Sequence, residues 1–223
     1  MAKEVQKKVV KVRAHPMRVP ISQKNPKGVT IRDEHSRRLE GTYLDPEEIE
    51  ALYAGHNLKG LPYPAAGKLD YPDSDKYDGV IAFWTDYFNK KFSADPLLDP
   101  DIVKALLGSE SGFRIDPPEN KLASGIAQIT PEAFKALKDA KGEVKEFIFT
   151  QVLKKDLLNP KIAIPMAIRW LFRKKRLAEG KLGRPATAEE IILEYKGLLK
   201  SKSKYKNDAL LRFKDDYGKL KKK

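Results

Sequence analysis

The sequence predicts a mainly α protein with an extended, partly irregular N-terminal region. Five helix starts support this prediction, each with a capping side chain followed by proline or by acidic residues in the first turn. They are Asp45-Pro46, Asp99-Pro100, Thr130-Pro131, Asn159-Pro160 and Thr187 with Glu190. Apolar side chains recur at helical spacing within 80–88 and after Asp101. Residues 1–44 instead mix Lys, Pro and Gly with short β-branched runs, which favours an extended arm with a short hairpin.

These patterns divide the chain into three parts. Residues 1–74 form a basic N-terminal arm with a short helix that ends near Gly55 and a linker rich in Gly and Pro over 56–74. Residues 75–200 form a helical domain, in which the aromatic residues of 80–88 are expected to pack in the core. Residues 201–223 are a lysine-rich C-terminal segment, which we expect to be solvated at its end.

Composition limits the possible chemistry. The 223 residues include no cysteine and three scattered histidines, so a thiolate metal site is impossible and a histidine metal site is disfavoured. We therefore expect no metal and no cofactor. The N-terminus lacks the apolar stretch of a signal peptide, and the longest aliphatic run, 162–168, is interrupted by Pro165 and is too short to span a bilayer. We expect synthesis in the cytoplasm and no membrane span.

The formal net charge of +13 indicates attraction to a polyanion. Nucleic acid, an acidic membrane surface and the anionic polymers of a bacterial envelope all fit, and charge alone does not choose among them. Cations are concentrated in the lysine-rich C-terminal segment and in a second group on one predicted helix. Together they could contact phosphate or teichoic acid, but a solvated helix face is the simpler interpretation of the second group. This group comprises Arg169, Arg173, Lys174, Lys175 and Arg176.

Glu110 is the candidate for acid–base chemistry. It follows Leu106 by four positions and Leu107 by three, so its carboxyl is expected at the edge of the apolar stripe of its helix. Partial burial disfavours the charged form of a carboxyl, and a protonated carboxyl can donate to a leaving-group oxygen. Taken alone, this position also fits a surface glutamate at a helix end.

Three motifs in order distinguish Glu110 from a surface residue. They are ESGF at 110–113, GIAQITP at 125–131 and EYKG at 194–197, with Asn159-Pro160 opening a long helix before the last. This arrangement resembles the soluble lytic transglycosylase (SLT) family and its goose-type lysozyme relatives. That family reads Glu-Ser-x-Phe or Tyr, then Gly-Leu-Met-Gln-Ile-x-Pro, then Ala-Tyr-Asn-x-Gly. The resemblance covers roughly residues 80–200 and implies a lysozyme-like fold.

The resemblance implies that Glu110 protonates the glycosidic oxygen between N-acetylmuramic acid and N-acetylglucosamine and then acts as the base. Its carboxylate would activate the muramoyl 6-hydroxyl, which closes a 1,6-anhydro ring, so no second carboxyl is required. Asp116 and Glu119 match no catalytic position of the family. The predicted substrate-binding residues are Ser111, Gly125, Ile126, Gln128 and Tyr195.

Individual roles follow from the same resemblance. Gln128 corresponds to a glutamine that contacts sugar, and Tyr195 to a tyrosine whose hydroxyl approaches the catalytic carboxyl. Gly125 would let the backbone approach the saccharide, whereas Ser111 would orient the backbone at Glu110 and Phe113 would pack. The chain departs from the family pattern at positions that flank these residues, which leaves ring closure and hydrolysis both open. These positions are Glu119, Leu122, Ala127, Glu194 and Lys196.

The expected function is thus peptidoglycan cleavage, with glycan strands as the partner, anionic envelope polymers as a secondary one and nucleic acid disfavoured. One alternative is a hydrolytic muramidase of the phage endolysin type. Another is an inactive basic protein that binds the envelope or nucleic acid on a lysozyme-like scaffold. An enzyme without a signal peptide would reach the wall by phage-type lysis, on a virion or through dedicated export.

Overall fold

The computed structural model describes residues 7–12, 15–18, 25–27, 29–32, 35–40, 43–117, 122–144, 146–202 and 204–222. Over these residues the chain is mainly helical, as predicted. The seven described α-helices are α1 (Pro46–Ala54), α2 (Asp78–Phe92), α3 (Pro100–Ser111), α4 (Pro131–Lys138), α5 (Pro160–Leu182), α6 (Ala188–Tyr195) and α7 (Asp208–Lys221). Among them, none combines the length and the apolar character needed to cross a bilayer.

The N-terminal region is extended, as expected, and its strands are paired. The four strands are β1 (Lys7–Val12), β2 (His15–Arg18), β3 (Val29–Arg32) and β4 (His35–Glu40). β1 pairs antiparallel with β4, and β2 pairs antiparallel with β3, so pairing extends well beyond a short hairpin. The strands lead into Tyr43 and Leu44, where the Leu44 amide donates to the Ile148 carbonyl at 3.0 Å and so attaches the region to the helical body.

The predicted helix starts are confirmed, because each capping side chain accepts a hydrogen bond from a backbone amide of the first turn. The pairs are Asp45 with Glu48, Asp99 with Asp101, Thr130 with Ala133, Asn159 with Lys161 and Thr187 with Glu190. Four of these helices begin with proline directly after the cap, where the missing amide costs no hydrogen bond.

The core lies between α2, α3 and α5. Trp84 and Phe88 of α2 have no exposed surface, and Phe83 is nearly as buried, which confirms that the aromatic residues of this helix pack inside rather than form a surface for sugar. Phe88 contacts Phe172 of α5, with ring centroids 6.0 Å apart. Such aromatic contacts add to the stabilisation from apolar burial.

Most of the C-terminal segment belongs to the helical body, and its end at Lys221 and Lys222 is exposed as predicted. α7 packs along α3 and buries Leu210, Phe213 and Leu220. Several of its lysines form ion pairs with the helical body or within the helix, including Lys219 with Asp70 and Lys221 with Asp99. The apolar stripe of α7 therefore makes residues 208–221 part of the helical domain.

Lys104 of α3 has no exposed surface, an environment that the sequence analysis did not predict. Its Nζ donates to the Asp75 carboxylate at 2.6 Å, to Asp78 Oδ2 at 2.9 Å and to the Ala65 carbonyl at 2.9 Å. A buried ammonium is tolerated only with such partners. The cluster fixes the Gly- and Pro-rich segment 56–74, which contains no helix, against α2 and α3.

Candidate active site

Glu110 lies in the last turn of α3. The helix ends at Gly112, whose positive φ of 59° supplies the left-handed cap, and Phe113 follows with its side chain buried. The Glu110 side chain is 16% exposed. The sequence-based expectation of a partly buried carboxyl at the edge of the apolar stripe is therefore confirmed, and the remaining exposure leaves the carboxyl accessible to a substrate.

A tight turn over residues 124–129 packs against the end of α3. Ser124 and Ile129 form an antiparallel bridge, and the Gln128 amide donates to the Gly125 carbonyl at 3.0 Å. The Ser111 hydroxyl donates to the Ile126 carbonyl at 2.7 Å, which connects this turn directly to the residue next to Glu110. The first and second motifs are thus joined by a buried hydrogen bond.

The end of α6 completes the group. The Tyr195 hydroxyl donates to the Ala127 carbonyl at 3.2 Å, and Lys196 Nζ donates to Glu110 Oε1 at 2.5 Å. The third motif therefore contacts both others, although it lies far from them along the chain. Only the tertiary fold brings these three segments together.

The group in contact with the Glu110 carboxylate differs from the expected one. The resemblance implies that the Tyr195 hydroxyl approaches this carboxyl, but that hydroxyl is bonded to the Ala127 carbonyl and the contacting atom is Lys196 Nζ. Burial, and then the negative charge of Glu110, raise the pKa of Tyr195 far above its ordinary value. Tyr195 is therefore a neutral hydrogen-bond donor at neutral pH.

Gln128 in this turn has an unusual backbone conformation and a buried side chain. Its backbone φ is +47°, which is uncommon for a residue with a side chain, and only 4% of its surface is exposed. Its Nε2 donates to the Gly125 carbonyl at 2.8 Å, whereas its buried Oε1 has no hydrogen-bond partner among the described residues. An unmet buried acceptor costs free energy, but this oxygen has almost no accessible surface, so a donor from a ligand can reach it only if the turn moves.

Four of the five predicted substrate-binding residues are buried, Gln128 among them. Ser111 is 1% exposed and Ile126 has no exposed surface, so both can act on a substrate only by positioning their neighbours. Gly125 is buried too, and a β-carbon there would lie 2.1 Å from the Leu157 carbonyl oxygen. The structure thus gives Gly125 a packing role, in place of the close approach to saccharide that the resemblance implied.

The tight packing around Gly125 predicts that adding one methyl group at this position destabilises the fold. We expect Gly125→Ala to lower the free energy of unfolding by about 1–3 kcal/mol, because the new side chain overlaps the Leu157 backbone and φ is +75°. Gly180→Ala is the matched control, since a β-carbon at this position of α5 meets nothing within 4 Å. Chemical denaturation should find the control unchanged or stabilised by about 1 kcal/mol. Equal losses of stability in both variants would contradict the close contact between Gly125 and the Leu157 carbonyl.

Sequence reasoning missed a second set of residues at the end of α3. Tyr71 lies against Phe113, with ring centroids 5.6 Å apart, and its hydroxyl donates to the Asp216 carboxylate at 3.1 Å. Burial raises the pKa of Asp216 above its usual range. The pKa of Arg212 is raised by its hydrogen bond with Tyr71 and, to a smaller extent, by the charge of Glu110. α7 therefore supplies charged groups to the surroundings of Glu110.

The other predicted groups lie apart from this site. Asp116 is exposed beyond the end of α3, and Glu119 lies outside the described residues. Within the described ranges, no cluster of His, Asp and Glu side chains could hold a metal ion. Arg169, Arg173, Lys175 and Arg176 line a separate cleft of about 750 Å³ that does not include Glu110. Because Arg169 and Lys175 are each only 5% exposed, the prediction of a simple solvated face for these cations is wrong.

No protein-family model matches the chain, and neither the curated proteins nor the solved structures include a detectably similar one. The likeness to lytic transglycosylases therefore depends on the three motifs alone.

Proposed function

We propose that the protein cleaves the glycan strands of bacterial peptidoglycan as a lytic transglycosylase on a lysozyme-like helical domain. The single observation that carries this proposal is the convergence of three motifs at Glu110. Ser111 bonds to the turn that holds Gln128, Tyr195 bonds to the same turn, and Lys196 bonds to Glu110 itself. Packing alone does not explain why three segments that match three ordered motifs also contact one another, with the third reaching the Glu110 carboxylate.

In this proposal Glu110 supplies the proton. Its carboxyl protonates the oxygen of the MurNAc-β-1,4-GlcNAc bond as that bond breaks, and the resulting carboxylate then accepts the proton of the muramoyl 6-hydroxyl. The hydroxyl oxygen attacks the anomeric carbon and closes the 1,6-anhydro ring. In the hydrolytic alternative, water takes the place of the 6-hydroxyl, and the product keeps a reducing end.

Lys196 has to move or be displaced for this chemistry. As a donor at 2.5 Å it occupies the Glu110 oxygen that a glycosidic oxygen would need to reach. The Lys196 side chain is 20% exposed at the end of α6. Because this side chain is long and flexible, it can rotate away from Glu110 into solvent. We propose that substrate binding opens this ion pair and shifts the turn over 124–129, so that the Gln128 Oε1 becomes exposed and accepts a donor from the sugar.

A second candidate function is favoured by the same contact. If the ion pair between Lys196 and Glu110 stays closed, the domain is a non-enzymatic protein that binds anionic envelope polymers through its positive charge. This alternative predicts binding to cell-wall sacculi without any release of soluble fragments.

Mass spectrometry of purified peptidoglycan after incubation with the full chain tests the proposed reaction. We expect soluble muropeptides with 1,6-anhydromuramoyl ends, which are lighter by one water than the reducing ends made by a muramidase. If the products carry reducing ends instead, the reaction is hydrolysis rather than ring closure, and Glu110 is still the acid. The absence of fragments, with the chain still bound to sacculi, would support the second candidate instead.

A further inference from the structure

A second cleft lies away from Glu110, between the end of α2 and the middle of α5. It encloses about 750 Å³, a volume within the range of about 300–1,000 Å³ typical of small-molecule sites. The cations that line it are Lys91, Arg169, Arg173, Lys175 and Arg176, and the carboxylates are Asp95, Glu143, Glu146 and Glu179. The cleft is therefore strongly charged, with one cation in excess.

The three arginines of the cleft share one helix face. Arg169, Arg173 and Arg176 are spaced by four and three positions along α5, so their side chains emerge next to one another. Burial, and to a smaller extent the positive charges of Arg176 and Arg173, lower the pKa of Arg169 to about 10, although Glu146 opposes them. Mutual repulsion of this kind is relieved when an anion binds among the cations.

Two of the cations already have partners. Arg173 pairs with Glu143 at 2.7 Å, and Lys175 pairs with Glu179 at 2.7 Å. Arg169 is held in place differently, because its Nε donates to the Glu146 carbonyl at 3.0 Å and its guanidinium lies 4.8 Å from the centre of the Phe92 ring.

The remaining cations are available to a ligand. Among the described residues, no acceptor bonds to the terminal nitrogens of Arg169, and no carboxylate pairs with Arg176. A guanidinium fixed in this way presents a planar fork of donors, which matches the oxygens of a phosphate. The Asp95 carboxylate on the rim is an acceptor for hydroxyl groups.

We propose that this cleft binds a phosphate group carried on a hydroxyl-rich ligand, that is, a polyol phosphate. Arg169 and Arg176 hold the phosphate oxygens, and the carboxylate rim accepts hydrogen bonds from the hydroxyl groups. The ligand can be a free small molecule or one unit of an envelope polymer of polyol phosphates. The site is independent of Glu110, so its proposal does not depend on the proposed catalytic function.

Calorimetric titration of the full chain at constant ionic strength tests this site. The probes are glycerol 3-phosphate, poly(glycerol phosphate), inorganic phosphate, glycerol and a single-stranded oligonucleotide. We expect glycerol 3-phosphate to bind more tightly than inorganic phosphate, and glycerol not to bind. Preference for the polymer identifies an envelope source for the ligand, and equal affinity per unit identifies a small-molecule site. Tighter binding of the oligonucleotide than of either polyol phosphate overturns the proposal.

Two variants separate the cleft from general electrostatic attraction. Arg176→Gln should weaken glycerol 3-phosphate binding by about tenfold or more, because it removes charge-assisted hydrogen bonds to the phosphate. Lys174→Gln removes the same charge from the neighbouring side of α5, where Lys174 Nζ lies 4.6 Å from the centre of the Trp170 ring. This control should change affinity by less than twofold. Equal losses in both variants overturn the proposal and leave only non-specific attraction. Arg176 is exposed, so its replacement leaves the fold intact.

Discussion

Glu110→Gln is expected to abolish peptidoglycan cleavage while leaving the fold intact. Glutamine keeps the size and the acceptor oxygen of glutamate, so Lys196 can still donate to it, but it cannot deliver a proton. General acid catalysis supplies about 10²- to 10⁴-fold in rate, and the rate of release of soluble fragments should fall by that factor. Dye release from labelled sacculi measures this rate directly.

The matched control for this experiment is Glu132→Gln. Glu132 is exposed in the first turn of α4, where it directly follows the second motif, and it makes no described hydrogen bond or ion pair to Glu110, so its replacement should leave the rate unchanged. Melting curves should show that both variants stay folded, since glutamine fills the same volume as glutamate and can still accept the hydrogen bond from Lys196. If Glu110→Gln cleared sacculi at a rate within a few-fold of the unmodified protein, Glu110 would not be the acid.

Lys104→Met is expected to cause the largest loss of stability in the helical domain. Methionine has a similar length but leaves the carboxylates of Asp75 and Asp78 without their buried ammonium. Breaking a buried ion pair by removing one partner costs about 3–5 kcal/mol, which is a large part of the stability of a typical domain. Urea denaturation measures the change in the free energy of unfolding.

The pH dependence of that loss follows from the two carboxylates. Burial raises the pKa of Asp78 to about 6 and Lys104 opposes this, whereas the hydrogen bond from Lys104 lowers the pKa of Asp75. Without Lys104 both carboxyls bind protons more tightly in the folded state than they do in the intact protein. Protonation at low pH therefore stabilises the folded variant. The difference in the free energy of unfolding between the unmodified protein and the variant should grow as the pH rises from 5 to 8.

Lys90→Met provides the control for Lys104→Met. Lys90 pairs with Asp86 at 2.7 Å on the surface of α2, where 72% of its side chain is exposed. Such a pair contributes at most about 1 kcal/mol, with little dependence on pH between 5 and 8. A Lys104→Met protein as stable as this control at pH 8 would contradict the buried position of Lys104.

The helices whose starts carry a local signal could be predicted from the sequence. Asp99-Pro100 and Thr187 with Glu190 specify their own first turns, so α3 and α6 begin where expected. α7 lacks such a cap, and its many lysines made the apolar stripe of this helix hard to recognise in the sequence. Leu210, Phe213, Tyr217 and Leu220 follow one another at helical spacing and would have indicated a packed helix.

The motifs identified Glu110 and its neighbours along the chain, but not the groups that the tertiary fold brings to them. Lys196 follows Tyr195 in the third motif, yet its contact with Glu110 depends on where α6 ends relative to α3. Tyr71 and Arg212 belong to no motif. Lys104 did leave a signal, because a lysine inside the apolar stretch of α3 can be buried only if carboxylates surround it.

The most direct measurement of the central claim is the binding site of a glycan on the inactive Glu110→Gln protein. A soluble peptidoglycan tetrasaccharide should be titrated into the labelled protein while backbone and side-chain NMR shifts are recorded. The proposed active site predicts that the largest shifts occur at Gln128, Tyr195 and Lys196, together with the residues that flank position 110. Shifts confined to the cleft of Arg169 and Arg176, with none in the three motifs, would contradict the assignment of Glu110 as the catalytic residue.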